Sequence, residues 1–203
     1  MGYIGHPETA KDFVESHTRF AAGFPWHVRL NNMNALDTHD TPRFKSYTID
    51  GAQRVAAGLQ FTFPGIPVVW AGDEFGLDGF NGEKSRTPIP WNGERPADSS
   101  MIDFYAGLAK IRKANTALID GSLRWLYASN EAMVFIRENS KQSVLVVATR
   151  GKDDKIEFPI DAATGLDKAE RLYGSAKLST VKKKAKISAG KVELSVWRLP
   201  AAK

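Results

Sequence analysis

Cysteine is absent from this 203-residue chain. Its absence excludes disulfides, thiolate metal sites and a cysteine nucleophile, and leaves the redox compartment open. No apolar run approaches the ~20 residues of a membrane span, so no membrane association is expected. The opening MGYIGHPETAKD carries neither a basic start nor an apolar stretch of the leader type, and a cytoplasmic location is the expectation. Internal repeats are missing, as is low-complexity sequence beyond one lysine run. The chain is also short for a complete (β/α)8 barrel, which typically takes about 250 residues. The remainder is 42% hydrophobic and 25% charged, which excludes disordered, collagen-like and coiled-coil chains and fits a globular one.

Charge is unevenly spread. Residues 1–120 hold 12 Lys and Arg against 14 Asp and Glu, whereas residues 121–203 hold 16 against 9. All four histidines and eight of the ten prolines fall in the first part. Such a shift points to two units, 1–120 and 121–203, with the chemistry in the first. The basic excess peaks at Lys182, Lys183, Lys184 and Lys186. No aromatic residues interleave with this run, so it reads as a solvated strand edge or turn, and no nucleic-acid partner is expected.

Hydrophobic spacing predicts a helix over 7–23, with Pro7 in its first turn, Phe13, Val14, Phe20 and Ala21 on its apolar face and Gly23 as its stop. A short strand follows at 31–37, then a helix over 51–62 with Asp50 placed to cap it. The continuous apolar run Ile66–Ala71 suits a strand buried on both faces, which favours Trp70 as a core residue over a stacking platform for a ligand. Residues 72–97 form a long loop of the kind that usually carries function. Asp98 or Ser99 then opens a helix to about Asn115, with Ile102, Tyr105, Leu108, Ala109 and Ile111 near helical spacing. This order is that of a parallel α/β unit. Beyond Gly121, six short β-type runs predict an antiparallel sandwich or small barrel.

Ligands of parallel α/β folds bind at the carboxyl ends of strands. Here those ends are Asp37-Thr38-His39-Asp40-Thr41-Pro42-Arg43 and Gly72-Asp73-Glu74. A His-Asp pair in such a place can hydrogen-bond adjacent hydroxyls and stabilise developing positive charge, or simply be held by local turn contacts.

The combination is more specific than its parts. LDTHDTPRF resembles the strand-7 segment of the α-amylase family, glycoside hydrolase family 13, and PGIPVVWAGDEFGLDGFNGEKSRTPIPW resembles its strand 8 and the following loop. The GDE-x-G-L and R-x-P-x-P-W elements are most similar to the neopullulanase, cyclomaltodextrinase and maltogenic amylase branch. The resemblance implies the last two βα units (strands 7 and 8) of a TIM (β/α)8 barrel at 1–120, followed by an antiparallel β-sandwich domain at 121–203. It implies that Asp40 stabilises the oxocarbenium-like transition state and that His39 contacts the same sugar. Asn81 and Arg86 would reach further sugar subsites, although Lys84 and Ser85 stand where the branch more often has Asp-Cys. Glu74 has two readings, a hydrogen-bonding role or substrate contact. Arg43 likewise reads as a salt-bridge anchor or a ligand, and Trp91 as a platform for a glucose ring or an incidental surface aromatic. The implied partner is an α-glucan oligosaccharide, and neither a cofactor nor a metal is called for.

Retaining glycosidases need two carboxyl groups about 5–5.5 Å apart. The family carries them at strands 4 and 5, and the G-x-R-x-D motif of that region does not occur in this sequence. The expectation is therefore a segment of a retaining α-glucan hydrolase acting on α-1,4-linked maltodextrins or cyclodextrins, with no catalysis of its own. The alternative is a non-catalytic carbohydrate-binding or assembly module. With only two barrel strands, the segment is expected to self-associate through exposed strand edges.

Overall fold

A computed structural model describes residues 8–153 and 155–200. Helix α1 (Ala10–Ala22) begins at a capping box: the Thr9 hydroxyl accepts from the Asp12 amide at 3.0 Å, and Asp12 accepts from the Thr9 amide at 2.9 Å. Gly23 follows its last turn, as expected, while Pro7 lies outside the described residues. Phe13 and Val14 pack on the core, but Phe20 turns outward and lies tilted against Phe24 at 5.0 Å. The six-residue helix α2 (Trp26–Asn31) has too few turns to show an apolar period, and the sequence pattern does not disclose it.

Strands β1 (Met33–Ala35) and β2 (Ile66–Val68) flank helix α3 (Ala52–Thr62) and pair in parallel, Met33 opposite Ile66 and Ala35 opposite Val68. Buried Gln60 of α3 clamps the pair by donating to the carbonyls of Asn34 at 2.9 Å and Val68 at 2.6 Å. Both strands are shorter than expected, and the apolar run is not buried on both faces. Ile66 is exposed and Pro67 to Trp70 are half-buried, because β1 and β2 are the only members of their sheet among the described residues. Asp50 does not cap α3. Gly51 takes that place, turning the chain with a left-handed φ of 82°.

Helix α4 (Gly82–Ser85) is a single turn inside the 72–97 loop, and α5 (Ser100–Ala114) closes this part of the chain. Its buried stripe is Met101, Phe104, Tyr105 and Leu108, an i, i+3, i+4, i+7 pattern. Ile102 and Ala109 face outward, one position off the stripe expected from the sequence.

The remaining residues build two antiparallel sheets. The first has the order β3 (Ser122–Ala128), β4 (Ala132–Glu138), β5 (Gln142–Thr149), β10 (Glu193–Pro200), β7 (Glu170–Tyr173). The second has the order β6 (Ile156–Pro159), β9 (Lys184–Ser188), β8 (Lys177–Val181). Val134, Ile136, Leu145 and Trp197 face the smaller sheet, against Ile156, Phe158 and Ile187. Their neighbours Phe135, Val144, Val146 and Val196 face the helices, against Phe61, Phe104 and Leu118. A sheet covered on both faces explains why β4 and β5 read as unbroken apolar runs, each such side chain contributing about 1.5–3 kcal/mol.

The hairpin β8–β9 runs through the lysines and was not among the six runs. Lys182 and Lys183 form its turn with φ of 47° and 66°. The strand-edge reading of the run is corrected, because β9 is the central strand of its sheet. There Lys184 and Lys186 bracket Glu157 at 2.9 and 2.7 Å, so cross-strand ion pairing offsets their charge.

Candidate functional site

The two parallel strands deliver their following residues to one end of the sheet, and a buried polar cluster joins them there. Arg43 is 1% exposed and donates to Asp73 Oδ1 at 2.8 Å and to the carbonyls of Ala71 at 2.6 Å and Ser85 at 2.9 Å. Its own amide donates to the Gly79 carbonyl at 2.8 Å. One guanidinium thus staples the strand-β1 loop to the loop after β2. Gly72 makes room for it: with φ of 109°, a Cβ there would lie 2.6 Å from Arg43 Nη2. Asp37 is buried beside them and accepts from the Phe44 amide at 2.7 Å. Burial, together with the hydrogen bond and charge of Asp37, pushes the Asp73 carboxyl up to about 8 against the pull of Arg43. Glu74 closes the turn by accepting from the Gly72 amide at 2.8 Å. These contacts make Arg43 and Glu74 supports of the loops.

Above this layer the chain turns sharply. The Thr38 amide donates to Thr41 Oγ1 at 2.9 Å, and the Asp40 amide donates to Thr38 Oγ1 at 3.2 Å. The turn lifts His39 and Asp40 into solvent, with 71% of the Asp40 side chain exposed. His39 Nε2 lies 3.1 Å from Asp40 Oδ2, and Arg86 Nη2 lies 3.9 Å from Asp40 Oδ1. Arg86 is aimed by its Nε, which donates to the carbonyls of His39 at 2.9 Å and Gly82 at 3.1 Å. Asn81 caps α4 by accepting from the Lys84 amide at 2.8 Å, which fixes the helical turn that presents Arg86.

The structure therefore brings His39, Asp40 and Arg86 together, with Asn81 one turn behind. Trp70 is not core as the apolar run suggested. It is half-buried, and its ring lies 6.0 Å from the His39 imidazole. Trp91 is 75% exposed and rests edge-on against Phe75 at 5.6 Å rather than against the His39–Asp40 pair. Sequence reasoning missed Gln53, which donates to the Asp73 carbonyl at 3.2 Å, and the depth at which Asp37 and Asp73 are buried. An apolar cleft of about 290 Å³ between α1, α3 and β5 contains none of these residues.

An exposed carboxylate flanked by an imidazole and a guanidinium can accept from one hydroxyl while its neighbours engage the next. It can also oppose positive charge developing nearby. Placed at the carboxyl ends of parallel strands, this defines a protein of the parallel α/β class with its polar site on the strand-end loops. Residues 7–121 match the family described as alpha amylase, catalytic domain. The chain belongs to the α-amylase family, glycoside hydrolase family 13, in the branch of cyclomaltodextrinases, neopullulanases and maltogenic amylases. A cyclomaltodextrinase of a Bacillus species is 33% identical over 136 residues, 64% of this chain and 24% of that protein. Neopullulanase 2 of Thermoactinomyces vulgaris is 28% identical over 162 residues, 77% of this chain and 27% of that protein. The debranching enzyme of Nostoc punctiforme superposes with a TM-score of 0.78 at 22% identity, over 95% of this chain and 39% of that one. That likeness shows the fold of a segment from this kind of enzyme, in which a TIM barrel is followed by a C-terminal β domain. The chain spans about a quarter of the length of these curated relatives.

Proposed function

We propose that the chain is the part of a retaining α-glucan hydrolase that carries barrel strands 7 and 8 (β1 and β2, residues 1–120) and the C-terminal domain (residues 121–203). Its substrate would be an α-1,4-linked maltodextrin or a cyclodextrin. Asp40 serves as the transition-state stabiliser, and His39 binds the hydroxyls of the same sugar. Arg86, positioned by Asn81, extends the contact, and Trp91 offers an exposed ring face for a further glucose. The nucleophile and the acid/base belong to barrel strands that this sequence does not contain. The observation that carries the reading is the solvent-facing Asp40 carboxylate held between His39 and Arg86 at the carboxyl ends of paired parallel strands.

The chemistry follows from charge. As the glycosidic bond breaks, positive charge develops at the sugar ring, and a fixed carboxylate beside it lowers the barrier without having to reorganise. In a polypeptide extended through the rest of the barrel, Asp40→Asn should keep the fold and lower kcat by roughly 10²–10⁴, about 2.7–5.4 kcal/mol. A raised KM with unchanged kcat would instead make Asp40 a substrate-holding group only.

A further inference from the structure

The buried layer beneath the site contains two carboxyl groups and one cation. Asp37 and Asp73 are 5% and 3% exposed and their carboxyl groups interact, and Arg43 is the guanidinium bonded to Asp73. Asp37 Oδ2 is satisfied by the Phe44 amide, but Asp37 Oδ1 is buried and accepts from no donor among the described residues. Two ionised carboxylates would leave a net negative charge in this interior, and neither could donate to the other. One proton resolves both difficulties: it lets one aspartate donate to the other and brings the trio to neutrality.

We propose that Asp37 and Asp73 hold a single proton between their carboxyl groups, and that this acid pair, clamped by Arg43, positions the turn bearing His39 and Asp40. Asp37 ends the strand-β1 side, three residues before Asp40, and Asp73 belongs to the turn after β2. The shared proton is thus a direct side-chain bridge between the two loops that form the site. The groups facing it from the surrounding elements are few. Tyr105 of α5 is a titratable side chain that interacts with both acids, and burial together with Asp73 and Asp37 raises its phenol above the ordinary range, so it stays neutral. Glu74 is turned back onto the Gly72 amide, Lys45 donates to the Gly76 carbonyl, and α3 contributes the uncharged Gln53. Loss of the proton sets two carboxylates against the one guanidinium of Arg43 and makes a repulsive contact between the loops. The elevation of the Asp73 carboxyl to about 8 agrees with this geometry.

The role assigned to the turn rests on the reading of Asp40 as the glucan-facing carboxylate, whereas the proton itself does not. The test is a pH titration of the 203-residue chain labelled with ¹³C at the aspartate carboxyls, followed together with the imidazole signals of His39. The expected result is an aspartate pair still sharing a proton well above the ordinary carboxylate range, near 4. It should ionise in the mildly alkaline range, with the His39 signals shifting in the same step. In Asp73→Asn, whose amide donates permanently, the step should vanish while the His39 signals keep their neutral-pH positions. Aspartates that are all ionised at about pH 6 would overturn the shared proton. A His39 environment unmoved through the alkaline step would overturn the positioning role. Neither readout uses a glucan, so a failure of the glycosidase reading would be recognised separately.

Discussion

Arg137 of β4 donates to the Thr62 carbonyl at the end of α3, at 2.6 Å and fully buried. The same guanidinium donates to the carbonyls of Gly121 and Ser122, both at 2.9 Å. One side chain therefore fastens the helical part of the chain to the start of the β domain. Its burial lowers its pKa to about 9, yet at neutral pH it remains charged and fully used as a donor. Arg137→Ala strands three carbonyls and opens a cavity, and should cost about 3–5 kcal/mol in urea unfolding. A loss under ~1 kcal/mol would mean that the two parts do not depend on this contact.

Gly72 and Arg43 are coupled by close approach. Gly72→Ala places a methyl group 2.6 Å from Arg43 Nη2, at a φ of 109° that a side chain rarely adopts. It should destabilise the chain by about 2 kcal/mol or more and disturb the His39 and Asp40 amide signals, because Arg43 is displaced from Asp73. Wild-type spectra at both amides would contradict the stapling role.

The cross-strand pairs of Glu157 respond to acid. Hydrogen bonds from Lys186 and Lys184 hold its carboxyl down to about 2 from 4.5. A depressed carboxylate contributes stability above its unfolded value, and that contribution is lost as pH falls through its folded one. Glu157→Gln should therefore lower Tm at pH 7 and converge with wild type near pH 2. High salt should shrink the difference, since the pair is exposed. An offset independent of pH would rule out the ion pairs as its cause.

The site was more legible than its support. The strand-end motifs carry His39, Asp40 and Arg86 in plain view, because exposed polar residues in a loop have no packing role to disguise them. Asp37 and Asp73 gave no sign of their depth, since an aspartate buried by a distant arginine reads like any loop acid. Helix α2 and hairpin β8–β9 were hidden for other reasons. One is shorter than two helical turns, and the other alternates lysine with Ala185 and Ile187, so charge masked its period of two. The IPVVWA run suggested a strand covered on both sides, and the residues that would cover Ile66 are not among those described.

That uncovered surface sets a further expectation. Met33 and Ile66 lie directly opposite each other on β1 and β2, 76% and 48% exposed. An apolar edge of this kind recruits another strand, so the 203-residue chain should self-associate. Light scattering should give a mass above the 22.4 kDa of one chain, reduced by Ile66→Lys. A strictly monomeric chain at high concentration would contradict this.

On the proposed reading, which gives the chain Asp40 as a stabiliser but neither nucleophile nor acid, the purified chain should release no reducing sugar from maltotriose or β-cyclodextrin. Lacking both a nucleophile and an acid would remove many orders of magnitude in rate. Release well above a heat-killed control would show that Asp40 has found a partner carboxyl within this sequence.

Whether an α-glucan meets this chain at the His39–Asp40–Arg86 group is read by mapping amide and imidazole shifts during a maltotriose titration. Saturable shifts should concentrate at His39, Asp40 and Arg86 and weaken in Asp40→Ala. Shifts confined to residues 122–200, with His39 unmoved at saturation, would contradict it.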